Sequence, residues 1–228
     1  MRSWQLRFWE LLEEKLFGLP SSPELFNQYK DADPAFDLPG AAAIRKENLS
    51  AYIMGFGRRP RFLLVGEAAG PWGARFSGVP FTSERQLEKG ELPFRGRKSS
   101  NHEPPYSENS GAVVWGALLS RYPEFFLWNA LPLHPHRKGE PLSIRTPGAA
   151  EIRAFCPLLR GAVGILFPSG PGRGQVVALG RKAEYALKLI GVSCLYVRHP
   201  AQSGAARFRA EIGRILPARF SLKSKNPL

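Results

Sequence analysis

The chain has 228 residues, with 32 Lys and Arg against 19 Asp and Glu, giving a formal charge of +13. A chain of this length buries roughly 70 to 75% of the surface its unfolded form exposes, so its core needs no disulfide or metal staple. Cys156 and Cys194 are its only cysteines, which excludes a disulfide scaffold and a four-thiolate cluster and fits a reducing, cytoplasmic compartment. The apolar runs are too short to cross a bilayer, and charged residues interrupt the N-terminal stripe as they would not in a signal peptide.

The charge is unevenly spread. Residues 1–60 hold 8 basic and 8 acidic groups, 61–197 hold 17 and 10, and 198–228 hold 7 and 1. A basic surface attracts polyanions through counterion release, which makes nucleic acid a candidate partner. Aspartate occurs only at Asp31, Asp33 and Asp37, in one loop-like stretch. Chemistry that needs an aspartate at the end of a core strand, such as two-metal hydrolysis or a kinase-type magnesium site, has only glutamate to draw on.

From the N-terminus, Trp4, Phe8, Leu11, Leu12 and Leu16 make one helical stripe, a Pro/Gly/Asp-rich link follows at 21–40, and 45–56 suggests a second helix. The first buried strand is 61–65 (RFLLV). A basic stretch at 85–108 without periodicity reads as a loop, and Ser110 can cap a helix carrying Val113, Val114, Leu118 and Leu119. The second strand is 125–128 (FFLW). Thr146 and Pro147 supply a cap and a first-turn proline for a helix with Ile152, Phe155 and Leu159. The third strand, 175–179 (QVVAL), precedes a helix at 181–190, and the fourth, 193–197 (SCLYV), precedes one at 205–216. Alternating strands and helices predict an α/β fold, a three-layer α/β/α arrangement around a central, mostly parallel four-stranded sheet. Residues 1–60 are expected as an N-terminal helical extension of one domain, 61–216 as its core and 217–228 as a basic tail.

In such sheets ligands bind beyond the carboxyl ends of the strands. Those ends carry Gly66 to Gly73, continuing to Gly78-Val79-Pro80-Phe81; Asn129 with Pro132, His134 and His136; Gly180-Arg181; and Arg198-His199-Pro200-Ala201-Gln202-Ser203. The glycine-rich segment has neither a phosphate-binding P-loop nor a dinucleotide fingerprint. No metal is expected from the two histidines, because no cysteine or aspartate lies near them.

Taken in this order, the four segments resemble the uracil-DNA glycosylase superfamily over roughly residues 62–214. The nearest pattern is the branch whose first motif is Gly-Glu-Ala-Pro-Gly followed by Gly-x-Pro-Phe, from which this chain departs at Ala69. The resemblance implies a monofunctional, monomeric glycosylase that flips uracil out of single- or double-stranded DNA and hydrolyses its N-glycosidic bond. Phe81 would stack on the base. Asn129 would accept from N3–H and donate to O4, a pattern that cytosine reverses. His199 would donate to O2 as negative charge develops. Backbone of Gly66, Glu67, Ala68, Ala69 and Gly70 would hold the base edge, and Ser83, Arg198, Gln202 and Ser203 would contact the DNA.

Departures from the family pattern matter as much. Ala68 matches the position of a water-directing aspartate in the best-known branch, which leaves Glu67, favoured because it lies in the motif, or Glu108 as the substitute. Gly70 matches a bulky residue that blocks thymine in some branches. The iron–sulfur cysteines are missing, so no cofactor is expected. A non-catalytic module that binds damaged bases, or a glycosylase for hypoxanthine or xanthine, are the alternatives.

Overall fold

In the computed structural model, residues 3–172 and 174–216 are described. The expected basic tail at 217–228 lies outside them. The first helix, α1 (Trp4–Leu12), starts where the Ser3 hydroxyl accepts the Leu6 amide at 3.3 Å, a standard N-cap. It buries Trp4, Phe8 and Leu12, and a π-helical turn at Glu13–Phe17 then swings Leu16 into the core as well. After β1 (Leu25–Phe26) come α2 (Ala41–Met54), β2 (Phe62–Ala68), the short α3 (Ala74–Ser77) and α4 (Glu84–Glu88), and then α5 (Asn109–Leu118). The second half comprises β3 (Phe125–Leu131), β4 (His134–Pro135), α6 (Ala149–Leu166), β5 (Val176–Leu179), α7 (Arg181–Leu189), β6 (Leu195–Val197) and α8 (Ala205–Ile215).

Four strands form one parallel sheet in the order β3-β2-β5-β6, and β1 pairs antiparallel with β4 beside it. All seven residues of β3 and all four of β5 are buried, as expected of strands covered on both faces. Neighbouring residues of β3 serve opposite layers. Phe126 packs edge-on against Phe8 of α1 at 5.1 Å, whereas Phe125 meets Trp115 of α5 at 5.6 Å. Phe8 is fully buried between Phe126 and Trp128, so truncating it to alanine costs about 3 to 5 kcal/mol. The N-terminal helix is therefore a wall of the core rather than an appendage to it. No helix among the described residues is long and apolar enough to cross a membrane.

Three local expectations are revised. The link at 21–40 holds Asp37, 6% exposed, which forms ion pairs with the fully buried Arg45 of α2 and with Arg75 of α3. The stretch at 85–108 is anchored rather than free: Leu92 and Phe94 are buried, and the Ser99 and Ser100 amides donate to Glu84 Oε1 at 2.6 and 2.8 Å. Helix caps also fall elsewhere. Glu108, not Ser110, is the N-cap of α5, and α6 starts after Gly148, whose amide donates to Glu151 at 2.7 Å.

Candidate active site

Register brings the first two strand ends together, because Gly66 of β2 stands opposite Asn129 of β3. A Cβ on Gly66 would lie 2.4 Å from Cζ of Phe81 and 2.6 Å from Oδ1 of Asn129. Only glycine lets ring and amide converge there. Phe81 reaches this place from a tight corner, with its own φ at 54° and the preceding Gly78 at 76°. A Cβ on Gly78 would strike the Arg45 carbonyl oxygen at 2.4 Å. Asn129 is 3% exposed, yet its amide has no hydrogen-bond partner among the described residues. Its amide atoms still touch solvent, so water or a ligand can pair with them.

His199 approaches from the far end of the sheet, just beyond β6, with its ring 5.9 Å from that of Phe81. Its Nδ1 accepts the Ala201 amide at 3.2 Å. Burial, helped by the neighbouring Arg198 charge, pushes its pKa down from 6.5 to about 4. The imidazole is neutral at pH 7, and since Nδ1 is an acceptor the proton sits on Nε2. The loop that holds it is tight: a Cβ on Gly204 would lie 2.1 Å from the His199 carbonyl oxygen. Gln202 and Ser203 at its tip are exposed and hold positive φ values of 52° and 63°, a left-handed conformation that costs both residues energy. The Arg198 amide, at the base of the loop, donates to Glu211 of α8 at 2.7 Å.

The remaining predicted residues divide. Ala68 shares the Gly66 face of β2, but strand alternation turns Glu67 to the opposite face, away from Asn129. Desolvation raises the Glu67 pKa, and Lys182 at the start of α7 pulls it the other way. The favoured glutamate is thus not brought together with Phe81, Asn129 and His199. The Ala69 amide is committed to the Leu133 carbonyl at 3.3 Å, so it is not free to hold a base edge. Ser83, expected at the DNA surface, is 1% exposed and closes a capping box with Gln86 at the start of α4. His134 and His136 stack on each other, and His134 Nδ1 lies 2.9 Å from the Ala69 carbonyl oxygen. Among the described residues no group of three or more His, Cys, Asp or Glu side chains is placed to hold a metal.

Glu108, the second choice in the sequence, is placed differently. Its carboxylate lies on the glycine-rich loop after β2. A Cβ on Gly70 would be 2.3 Å from Oε1, and one on Gly73 would be 2.4 Å from Oε2. Three residues on, in the first turn of α5, Gly111 packs so closely on Phe81 that a Cβ there would be 2.4 Å from the Phe81 carbonyl oxygen. The start of α5 therefore joins the β2 loop to the Phe81 corner. Nothing in the one-dimensional pattern announces this, because the contact joins residues far apart in the chain.

No family model and no curated protein matches the chain. The architecture, a four-stranded parallel sheet flanked by helices, is that of the uracil-DNA glycosylase fold. Among solved structures it is similar to the wild-type SMUG2 of Pedobacter heparinus, with a TM-score of 0.60 at 15% sequence identity over 95% of this chain and 99% of that one.

Proposed function

We propose that this chain is a DNA glycosylase that extrudes uracil and hydrolyses its N-glycosidic bond. The observation that carries the reading is the unpaired Asn129 amide set beside the Phe81 ring, with the neutral His199 ring 5.9 Å from that of Phe81. The fold it shares with SMUG2, a DNA glycosylase of the uracil-DNA glycosylase superfamily, supports it. So does the excess of basic residues from residue 61 onward.

Each group has a defined task in this reading. Phe81 offers its ring face to the extruded base. The Asn129 amide accepts from N3–H and donates to O4, and a cytosine in the same place would leave both atoms of the amide mismatched. His199 donates from Nε2 to O2, where negative charge collects as the C1′–N1 bond breaks. The neutral imidazole stabilises that charge by hydrogen bonding and keeps its proton. Gln202 and Ser203, projecting from a strained turn, enter the space the base leaves, and Arg198 lies at the base of that turn.

Incubation with a uracil-containing oligonucleotide followed by alkali tests the proposal. Strand scission at the uracil is expected. A panel with hypoxanthine, xanthine and thymine in the same position defines the preferred base, and intact strands throughout the panel would refute the enzymatic reading.

A further inference from the structure

The β2 loop offers no carboxylate to the face of Asn129, since Ala68 has none and Glu67 points the other way. We propose, resting on the glycosylase reading above, that Glu108 is the group that holds and deprotonates the attacking water. Three observations carry this. The Glu108 carboxylate is seated on Gly70 and Gly73, two positions where any side chain would displace it. Its Oε2 is shut off from solvent and has no hydrogen-bond partner, and the carboxylate makes no cap bond to the start of its own helix. Its helix touches the Phe81 corner through Gly111, which fixes the carboxylate relative to the residue that stacks on the base.

An unpaired buried carboxylate oxygen is costly, and in a folded protein it calls for a partner. Burial also pushes the Glu108 pKa up from 4.5 to about 7. Gly70, Gly73 and Gly111 carry no charge, and burial is the largest cause of the shift, opposed by the neighbouring Gly111 amide. A base with a pKa near the working pH is well matched to accepting a proton from water.

The step balances without any further reactant. The C1′–N1 bond breaks with both electrons passing to the uracil, which leaves as an anion held by His199. The water oxygen bonds to C1′, its proton passes to Glu108, and that proton then neutralises the uracil anion. The products are an abasic sugar and free uracil.

The test is single-turnover excision by wild type and Glu108→Gln between pH 5.5 and 9, with DNA affinity and Tm measured alongside. The wild-type arm reports on the glycosylase reading: release of no base from any lesion overturns that reading, and the role of Glu108 with it. With an active wild type, the rate should rise through a midpoint near pH 7. Glu108→Gln should then lower it about 100-fold or more and flatten the profile, with Kd for uracil-containing DNA within about twofold. Because the substitution removes a buried charge, Tm at pH 8 should be equal or higher. Wild-type rates in Glu108→Gln, or a loss matched by equal losses in Tm and DNA affinity, would overturn the proposal while leaving the glycosylase reading intact. Should Glu108→Gln fail to fold, Glu108→Ala supplies the same information. Partial restoration by added formate, a small carboxylate that fits the vacated space, supports the role, and an inactive folded protein that formate cannot restore overturns it.

Discussion

The Ala201 amide donates to Nδ1 of His199 at 3.2 Å, two residues back along the same loop. This contact sets the tautomer, and with it the direction in which the imidazole can donate. His199→Ala should lower excision by about 100-fold or more, the usual cost of losing one donor to a developing anion. Nonspecific DNA affinity should change little, which an anisotropy titration against undamaged DNA will show.

The same residue predicts an acid-labile fold. In the native state its pKa is about 4, and its ordinary value is 6.5. Between those values the unfolded chain takes up a proton that the native protein does not, so stability declines as pH falls from about 6.5 to 4 and levels off below. Urea denaturation of wild type and His199→Gln across this window should show a shallower decline in the variant.

At Gly66 a single methyl group would press on both the Phe81 ring and the Asn129 amide. In Gly66→Ala the new Cβ would stand 2.4 Å from Phe81 and 2.6 Å from Asn129, so both must move. Overpacking of this kind costs about 1 to 3 kcal/mol in stability. Excision should fall much further than that, about 100-fold, because a shift of an ångström misaligns the reading amide. Asn129→Ala should match it in rate at a smaller cost in Tm, and the comparison of the two by calorimetry and single-turnover kinetics separates displacement from deletion.

The loop tip is strained for use. Gln202 and Ser203 both hold positive φ while exposed to solvent. Replacing Gln202 with glycine should relieve about 1 kcal/mol of backbone strain and leave Tm unchanged or raised. Affinity for uracil-containing duplex should nevertheless drop, with less effect on single strands, where no stack has to be entered. A rise in Tm without any change in duplex affinity would count against a wedge.

Asp37 holds two buried guanidinium groups at once, those of Arg45 and Arg75, which are 0% and 1% exposed. Asp37→Ala leaves both without their carboxylate in a dry environment and should destabilise the protein by about 3 to 5 kcal/mol. Chemical denaturation will register this as a lower midpoint.

By itself, the amino-acid sequence determined the four parallel strands, the helices between them and the segments at the strand ends, because apolar runs and helical periodicity are local signals. Asn129 and His199 stand at or just after strand ends, whereas Phe81 follows α3, and it is the resemblance in motif order that singles out all three. Tertiary structure decided what these side chains face. The alternation of β2 turns Glu67 away, the capping of α4 takes Ser83 out of reach of DNA, and the folding of α5 onto the β2 loop brings Glu108 to Gly70. The last of these contacts joins residues tens of positions apart, and its geometry follows from packing between layers, which no periodicity along the chain encodes. The scarcity of aspartate has the same two parts. The composition excludes aspartate-based chemistry at the strand ends, but only the packed fold shows one aspartate neutralising two buried arginines and a glutamate from another element seated on the glycine-rich loop.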